Sequence, residues 1–404
     1  MGAPDPAAEL RRVSAERDAV QAELDRLRAI PELRIGQRLR ALGQRRPRNP
    51  DVPGATTGTD LDSDSAPSSL DGSAAAQPLV VAPQADPADP TGWLTAPATW
   101  IGSPLRSVVV QVVLFENEPL QQKRLAEAVR AAVLAAREEL GIDTVAVRYG
   151  DCSPTPCLND VDLDVLRSAL GDAADDVSYV YFAANLGSSG GSNALAKLGD
   201  EAVIWVLNPD TYPAPNALVE MLAVLSEDDI GAAEARQLPI EHQKYYDPYT
   251  GDTSWVCGFS VLFRRSAYAQ VDGFDPHFFP MYCDDVDMSW RLRSKGWSLR
   301  YVPAAAVIHD KQISPGGSVR WTDDAARWSH LARLWLYRRY GRPDLEAEFI
   351  ASIDRNLDPV AGEAIAEFER RIAEGDSPSV IEGGNEVATF TGAEYSPTRF
   401  GYAG

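Results

Sequence analysis

Apolar positions from residue 107 onward fall into short runs that alternate with longer segments of helical spacing. Val108-Val-Val-Gln-Val-Val-Leu-Phe115 is almost continuously apolar and of strand length, the composition of a strand covered on both faces. Leu120 to Leu140 follows with helical spacing, and Gly141 supplies its stop. Thr144 to Arg148 predicts a second strand, Asp162 to Leu170 a short helix and Val177 to Phe182 a third strand. Ser192 to Leu198 then reads as helix, Ala202 to Leu207 as a fourth strand and Ala214 to Leu225 as another helix. Trp255 to Phe263 and Leu299 to Val302 are the later strands, with Gly258 marking a bulge or a close ligand approach. This alternation predicts an α/β fold, a mainly parallel sheet flanked by helices. Ligands of such sheets sit at the carboxyl ends of the strands. The residues that follow each strand are therefore where chemistry is expected.

The flanks are patterned differently. Residues 1–44 are expected to be helical. Leu10, Val13, Val20, Leu24 and Leu27 give roughly three heptads of a short coiled coil, interrupted by Arg17. After Pro31, an arginine-rich amphipathic piece carries Leu33, Ile35, Leu39 and Leu42. Such a piece either touches an anionic membrane surface or serves a solvated or homo-oligomerising helix. Residues 45–92 are rich in Pro, Gly, Ser, Ala and Asp and read as a disordered linker. The main domain is expected over 93–318, with order resuming near Trp93 to Trp100. Residues 319–404 should form C-terminal helices and a loose end without chemistry. Of these, Trp321 to Tyr340 interleaves aromatic and basic residues, so it either packs on the main domain or docks a lipid-linked acceptor at a membrane.

Composition narrows the function classes. The 404 residues carry a formal charge of −21, which argues against a nucleic-acid partner. It leaves room for a phosphate site in which a bound cation supplies positive charge. Cys152, Cys157, Cys257 and Cys283 form no CxxC pair, and reduced thiols are expected. No apolar run reaches about 18 residues and no signal-peptide core is present, so the expected location is cytoplasmic, at most peripheral to a membrane.

Asp284, Asp285 and Asp287 fall together where an aromatic loop meets a helix. Carboxylates in a first helical turn are stabilised as anions. They either cap the helix, with Asp287 paired to Arg291 four residues on, or hold a charged base beside a pocket. The strand tips add Phe115-Glu-Asn117, Gly150-Asp151-Cys-Ser153, Asn185-Leu-Gly-Ser-Ser-Gly-Gly-Ser-Asn193 and Asn208-Pro-Asp210. The glycines are either plain turn residues or let backbone N–H groups approach phosphate. Asp151 either accepts a hydrogen bond from a base edge or forms an Asx turn. Asp210, delivered by a hydrophobic strand, suits a hard cation that bridges phosphate oxygens. His309 is either structural or a ligand of the same cation.

In this order the segments resemble the inverting family 2 glycosyltransferases of the GT-A fold, in their bacterial rhamnosyltransferase-like branch. The resemblance rests on Asn185-x-Gly-x-x-Gly-Gly-x-Asn193, Leu207-Asn-Pro-Asp-Thr211, Arg264-Arg-Ser266, Gly273-Phe-Asp275, Phe279-Pro-Met-Tyr-Cys-Asp-Asp-Val-Asp287, Arg291-Leu-Arg293 and His309. It implies transfer of a sugar, rhamnose or a related hexose, from a nucleotide-diphosphate sugar to a cell-surface glycan or glycolipid acceptor. It further implies that Phe115, Asn117, Asp151, Asn185, Gly187, Gly191, Asn193 and Asn208 bind the donor. Asp210 and His309 would hold Mg²⁺ or Mn²⁺, and Asp285 would be the general base, with Asp284 as its alternative. Direct displacement needs such a carboxylate to take the acceptor's proton, and a cation to stabilise the leaving diphosphate. The chain departs from the family pattern at Gly150 and Cys152, at Asn208 in place of an acid, and at Asp284 in place of Glu. Those departures motivate a second reading, a catalytically weak or inactive relative acting as a binding or scaffolding module. A nucleotidyltransferase would want a lysine-bearing glycine loop, which Phe115-Glu-Asn-Glu-Pro119 is not.

The heptads over Ala8 to Ile30 predict self-association. Deleting residues up to Leu42 should lower the mass measured by light scattering, and an unchanged mass counts against that role.

Overall fold

β1 (Ser107–Leu114), β2 (Thr144–Asp151), β3 (Asp176–Tyr181) and β4 (Val203–Leu207) build the first half of an eight-stranded sheet. They belong to a computed structural model that describes residues 105–311, 322–392 and 394–399. The expected N-terminal helices, the linker and the Trp93 to Trp100 segment lie outside the described residues. β1 runs parallel to β2 and β4, and β2 parallel to β3. The crossovers are α1 (Pro119–Leu140), α2 (Asp160–Leu170) and α3 (Gly187–Ala196). Their ends are chemically marked. Pro119 starts α1 and Gly141, at φ 66°, stops it. Asn159 and Asp162 form a reciprocal capping box on α2.

The second half comprises β5 (Thr211–Pro213), β6 (Ile230–Leu238), β7 (Ser260–Arg264) and β8 (Ser298–His309), with α4 (Ala217–Leu225) after β5. The strand order is β3-β2-β1-β4-β7-β6-β8-β5. β7 is antiparallel to both β4 and β6, β6 is parallel to β8, and β5 is antiparallel to β8. The α/β architecture is the expected one, and its sheet is mixed. β6 and β7 are joined by a loop without a crossover helix, which permits the antiparallel pairing.

Continuous apolar strands follow from coverage of both faces. Val108, Val110, Val112 and Leu114 pack with Leu125, Val129 and Val133 of α1 in one cluster. Val109 points the other way, into a cluster with Ala196, Ile204, Met288 and Leu292. Each fully buried aliphatic side chain contributes about 1.5–3 kcal/mol relative to exposure.

Four expectations change. Trp255 to Phe259 is irregular, and only Ser260–Arg264 forms the strand. Its amides are taken by side chains: Val256 N donates to Ser289 Oγ, Cys257 N to Glu234 Oε2 and Gly258 N to Asp285 Oδ2. The glycines after β3 belong to α3 itself, because close packing there admits no Cβ. An alanine Cβ at Gly191 would lie 2.7 Å from Val113 Cγ1, and one at Gly187 2.4 Å from the Pro280 carbonyl oxygen. β6 escapes the sequence pattern because its buried residues are small (Ala232, Ala233, Ala235), with Glu234 among them. Of the expected loose end, residues 394–399 are described, and they are docked. Lys244 bridges Thr398 in antiparallel fashion, Tyr245 N donates to Pro397 O at 2.8 Å, and Arg399 N to Gln243 O at 2.9 Å.

Beyond α5 (Arg265–Gln270) and α6 (Asp284–Ser294), the C-terminal helices share the main core. These are α7 (Asp323–Arg339), α8 (Pro343–Ser352) and α9 (Pro359–Ala373). Trp335 of α7 lies between Phe278 and Phe368, at centroid distances of 5.2 and 4.6 Å. The apolar side of the basic aromatic segment is thus spent on packing, and among the described residues no helix is long and apolar enough to cross a membrane. The polar fastening is Arg339, whose guanidinium donates to Asp287 Oδ1 at 3.0 Å and also pairs with Asp275. Arg339→Ala strands two carboxylates without this countercharge. It should cost about 3–5 kcal/mol in urea unfolding, the usual price of breaking a buried pair from one side.

Candidate active site

Parallel pairing gathers the strand tips. Leu114 lies opposite Asp151, and Val112 opposite Leu207, so the residues after β1, β2 and β4 leave the same sheet edge. β7 enters from that edge, with Ser260 opposite Leu207. β8 ends there too, because His309 pairs with Thr211 just after Asp210.

The acidic pair sits at the start of α6. Tyr282 and Cys283, immediately before it, both adopt left-handed φ, 61° and 51°. For residues bearing a Cβ each such angle costs roughly 1–2 kcal/mol, so the surroundings must enforce the turn. They do so from two sides. Ser189 Oγ donates to Phe279 O at 2.6 Å and Ser189 N to Pro280 O at 3.3 Å, while Cys283 Sγ contacts Tyr395 OH at 3.1 Å. Asp284 Oδ2 then lies within hydrogen-bond distance of Ser188 Oγ, at 3.2 Å, and of Ser189 Oγ, at 3.0 Å. Asp285 turns the other way, accepting from Val286 N at 2.8 Å and from Gly258 N at 3.0 Å. Burial pushes Asp284 up to about 7, with the adjacent Asp285 charge adding to the rise. Burial also raises Asp285, against the amides that hold its anion. A carboxylate raised in this way is a stronger proton acceptor than a free one.

Asp287 has a different task. It is fully buried and bound by Arg291 at 2.7 Å, by Arg339 and by the Tyr340 hydroxyl at 3.3 Å. The expected pairing to Arg291 is present, and the carboxylate fastens α6 to α7 instead of capping its own helix.

Asp210 Oδ1 lies 3.2 Å from His309 Nε2. The other ring nitrogen, Nδ1, is 3.3 Å from Gln237 Oε1, and the imidazole stacks on Phe259 at 5.6 Å and 9°. An oriented imidazole beside a half-exposed carboxylate is a fitting pair of donors for a divalent cation. No group of three or more His, Cys, Asp or Glu side chains is placed to ligate a metal among the described residues. A cation here would therefore take its remaining ligands from substrate or water. Phe259 also ties this pair to the acidic one, since its carbonyl accepts from Asn208 N at 2.9 Å and it directly follows Gly258.

The donor residues implied by resemblance divide into two groups. Phe115 is 48% exposed at the β1 tip, where Asn117 Oδ1 accepts its amide at 2.8 Å. Asn185 Oδ1 accepts from Gly187 N at 3.0 Å and shapes the start of α3. Asn208 faces the same edge through its bond to Phe259. Asp151 and Asn193 are engaged by internal hydrogen bonds. Asp151 is fully buried and accepts from Ser153 N, Cys157 N and the Tyr179 hydroxyl, at 2.8, 2.8 and 2.5 Å. Asn193 Oδ1 accepts from Tyr268 OH and Phe274 N, while its Nδ2 donates to Phe274 O. It clamps the Gly273-Phe274 turn, where an added Cβ on Gly273 would meet its Oδ1 at 2.4 Å. Gly187 and Gly191 likewise serve packing, against Pro280 and Val113. All four cysteines are free thiols, as expected.

Sequence reasoning missed Ser188, Ser189, Glu234, Lys244 and Tyr395. Only Glu234 left a signal, an acid inside an otherwise small and apolar run.

No family model matches the chain. The chain is 45% identical over 74 residues to an N-acetylglucosaminyl-diphospho-decaprenol L-rhamnosyltransferase of Mycobacterium tuberculosis, a match covering 18% of this chain and 24% of that protein. It is 46% identical over 55 residues to the rhamnosyltransferase WbbL of Escherichia coli K12, covering 14% of this chain and 20% of that one. The matched stretches thus span about a quarter or less of these relatives. Among solved structures, the mannosyltransferase PcManGT from Pyrobaculum calidifontis in complex with GDP-Man and Mn²⁺ is similar at a TM-score of 0.41. It is 14% identical, with 69% of this chain and 84% of that one covered. Over those short stretches the chain resembles rhamnosyltransferases in sequence.

Proposed function

We propose that this chain is an inverting glycosyltransferase, moving a sugar, rhamnose or a related hexose, from a nucleotide-diphosphate sugar to a hydroxyl of a polysaccharide or lipid-linked acceptor. The observation that carries this reading is the join at Gly258-Phe259. One residue holds the Asp285 carboxylate and the next stacks on His309 beside Asp210. A base and a pair of cation donors thus share one sheet edge. The local likeness to rhamnosyltransferases supports the same chemistry.

Asp285 takes the proton of the acceptor hydroxyl as its oxygen attacks the anomeric carbon, and direct displacement inverts that centre. Asp284, held by Ser188 and Ser189, ionises less readily than a free carboxyl because of its burial and the adjacent Asp285 charge. Asp210 and His309 would hold Mg²⁺ or Mn²⁺. When bound, the cation supplies Lewis-acid stabilisation to the leaving diphosphate. Asn208, Phe115 and Asn117 line the same edge for the donor, and Asp151 and Asn193 set the loops around it.

A binding or scaffolding module is the second reading, favoured by the internal commitment of Asp151 and Asn193. Calorimetry with a panel of nucleotide sugars and Mn²⁺ separates the two. Binding to none of the panel supports the scaffold.

Transfer of labelled sugar tests the enzyme. Asp285→Asn should lower kcat by about 10²–10⁴, the usual contribution of a general base. Wild-type rates in both Asp285→Asn and Asp284→Asn would overturn the mechanism. The base acts deprotonated and burial raises Asp285, so kcat/KM should rise with pH along an acidic limb displaced above the ordinary carboxylate range and level off beyond it. In Asp284→Asn the neighbouring negative charge is gone, ionisation of Asp285 becomes easier, and the acidic limb should move to lower pH. Asp210→Asn should raise the Mn²⁺ concentration needed for half-maximal rate.

A further inference from the structure

We propose that Glu234 and Lys244 are positioning residues for Asp285: as a buried ion pair they fix the Trp255–Gly258 turn that holds this carboxylate, and Lys244 brings a cation within its electrostatic reach. The proposal rests on the reading of Asp285 as the base.

Both side chains are almost wholly inaccessible, Lys244 at 5% and Glu234 at 2% exposure. Lys244 Nζ pairs with Glu234 Oε2, donates to Trp255 O at 2.5 Å and lies 4.2 Å from the Trp255 ring centroid. The same Glu234 oxygen accepts from Cys257 N at 2.8 Å. The pair therefore grips the turn at Trp255 and at Cys257, and the next amide, Gly258 N, is the one that Asp285 uses. A displacement of the pair is transmitted through one peptide to the base.

A neutral pair could make similar hydrogen bonds. Burying two charges seldom adds stability over well-packed neutral groups, so the charges themselves invite an explanation. Lys244 favours the ionised form of Asp285, opposing its burial, and the same cation opposes the burial that raises Glu234. The other groups facing this cluster are accounted for. Asp284 shares α6 with the base, and Cys257 lies in the turn beside His242, whose Nε2 is 3.3 Å from Cys257 Sγ. Burial, Lys244, Lys311 and His309 keep His242 neutral, lowering it to about 3. From β8, Tyr301 bonds Glu241, which pairs with Arg399 of the C-terminal strap. From α7, Arg333 stands over Tyr395, next to Cys283. Lys244 is the cation among them that touches the turn.

The charges make opposite predictions for the two partners, which a purely structural role would not. Lys244→Met removes the cation and should move the acidic limb of kcat/KM up by roughly one unit. Glu234→Gln leaves the cation uncompensated and should move the limb down by a similar amount. The double variant Glu234→Gln/Lys244→Met should return close to wild type, and it serves the comparison if Lys244→Met alone fails to fold. In Glu234→Gln, kcat should fall while KM for the donor holds. Ionisation is read separately from the ¹³Cγ signal of Asp285 in aspartate-labelled protein, assigned by its loss in Asp285→Asn. Coincident midpoints in wild type and Glu234→Gln, or shifts of the same sign in both single variants, overturn the proposal. An inactive wild-type protein would sink the enzymatic reading alone, since the carbon signal still reports the coupling.

Discussion

Val256, Cys257 and Gly258 give their backbone amides to Ser289, Glu234 and Asp285, side chains that arrive from α6 and β6. A segment with strand composition is thereby kept out of the sheet just before β7 begins. Much of the site hangs on that diversion. The following residue, Phe259, stacks on His309 and accepts the Asn208 amide, so the β4 tip and the end of β8 are set by the same turn. Unpaired buried amides cost about 1–3 kcal/mol each, so loss of these acceptors would release the turn.

The three aspartates at the start of α6 show how one helical turn distributes its tasks. Successive residues point about 100° apart around a helix. Asp284 consequently meets the serines of α3, Asp285 the Gly258 amide, and Asp287 the guanidinium groups of Arg291 and Arg339. Arg339 extends that last contact to Asp275 and carries α7 with it. The C-terminal helices are in this way continuous with the loop that delivers the acidic pair. The strap through Tyr395 meets the left-handed Cys283 from the outside. Helical capping and charged chemistry, alternatives on paper, turn out to occupy different residues of the same turn.

Local periodicity made the parallel half legible. β1, β2, β3 and β4, with α1 and α2, lie where the apolar runs place them, since burial on both faces leaves little room for polar residues, whereas α3 begins five residues before its expected start. β6 was illegible for the converse reason, its core positions being Ala and Glu. The glycine stretch before Asn193 was ambiguous because a glycine needed for phosphate approach and one needed for packing look alike in sequence. Val113 and Pro280, distant along the chain, leave no room for a Cβ at Gly191 and Gly187. Asp151 was ambiguous likewise, and Tyr179 with two backbone amides accounts for its carboxylate.

The sequence by itself determined the α/β alternation, the sheet edge at which chemistry collects, and the residue types available there: acids at 284, 285 and 210, and an imidazole at 309. Those follow from local patterning, which is written in neighbouring residues. Tertiary structure alone decided which acid faces which partner, that Asn193 and Asp151 hold loops, and that Glu234 and Lys244 stand behind Asp285. Each of these is a contact between segments far apart in the chain. Its energy depends on burial and on the angle of approach, neither of which a linear pattern encodes.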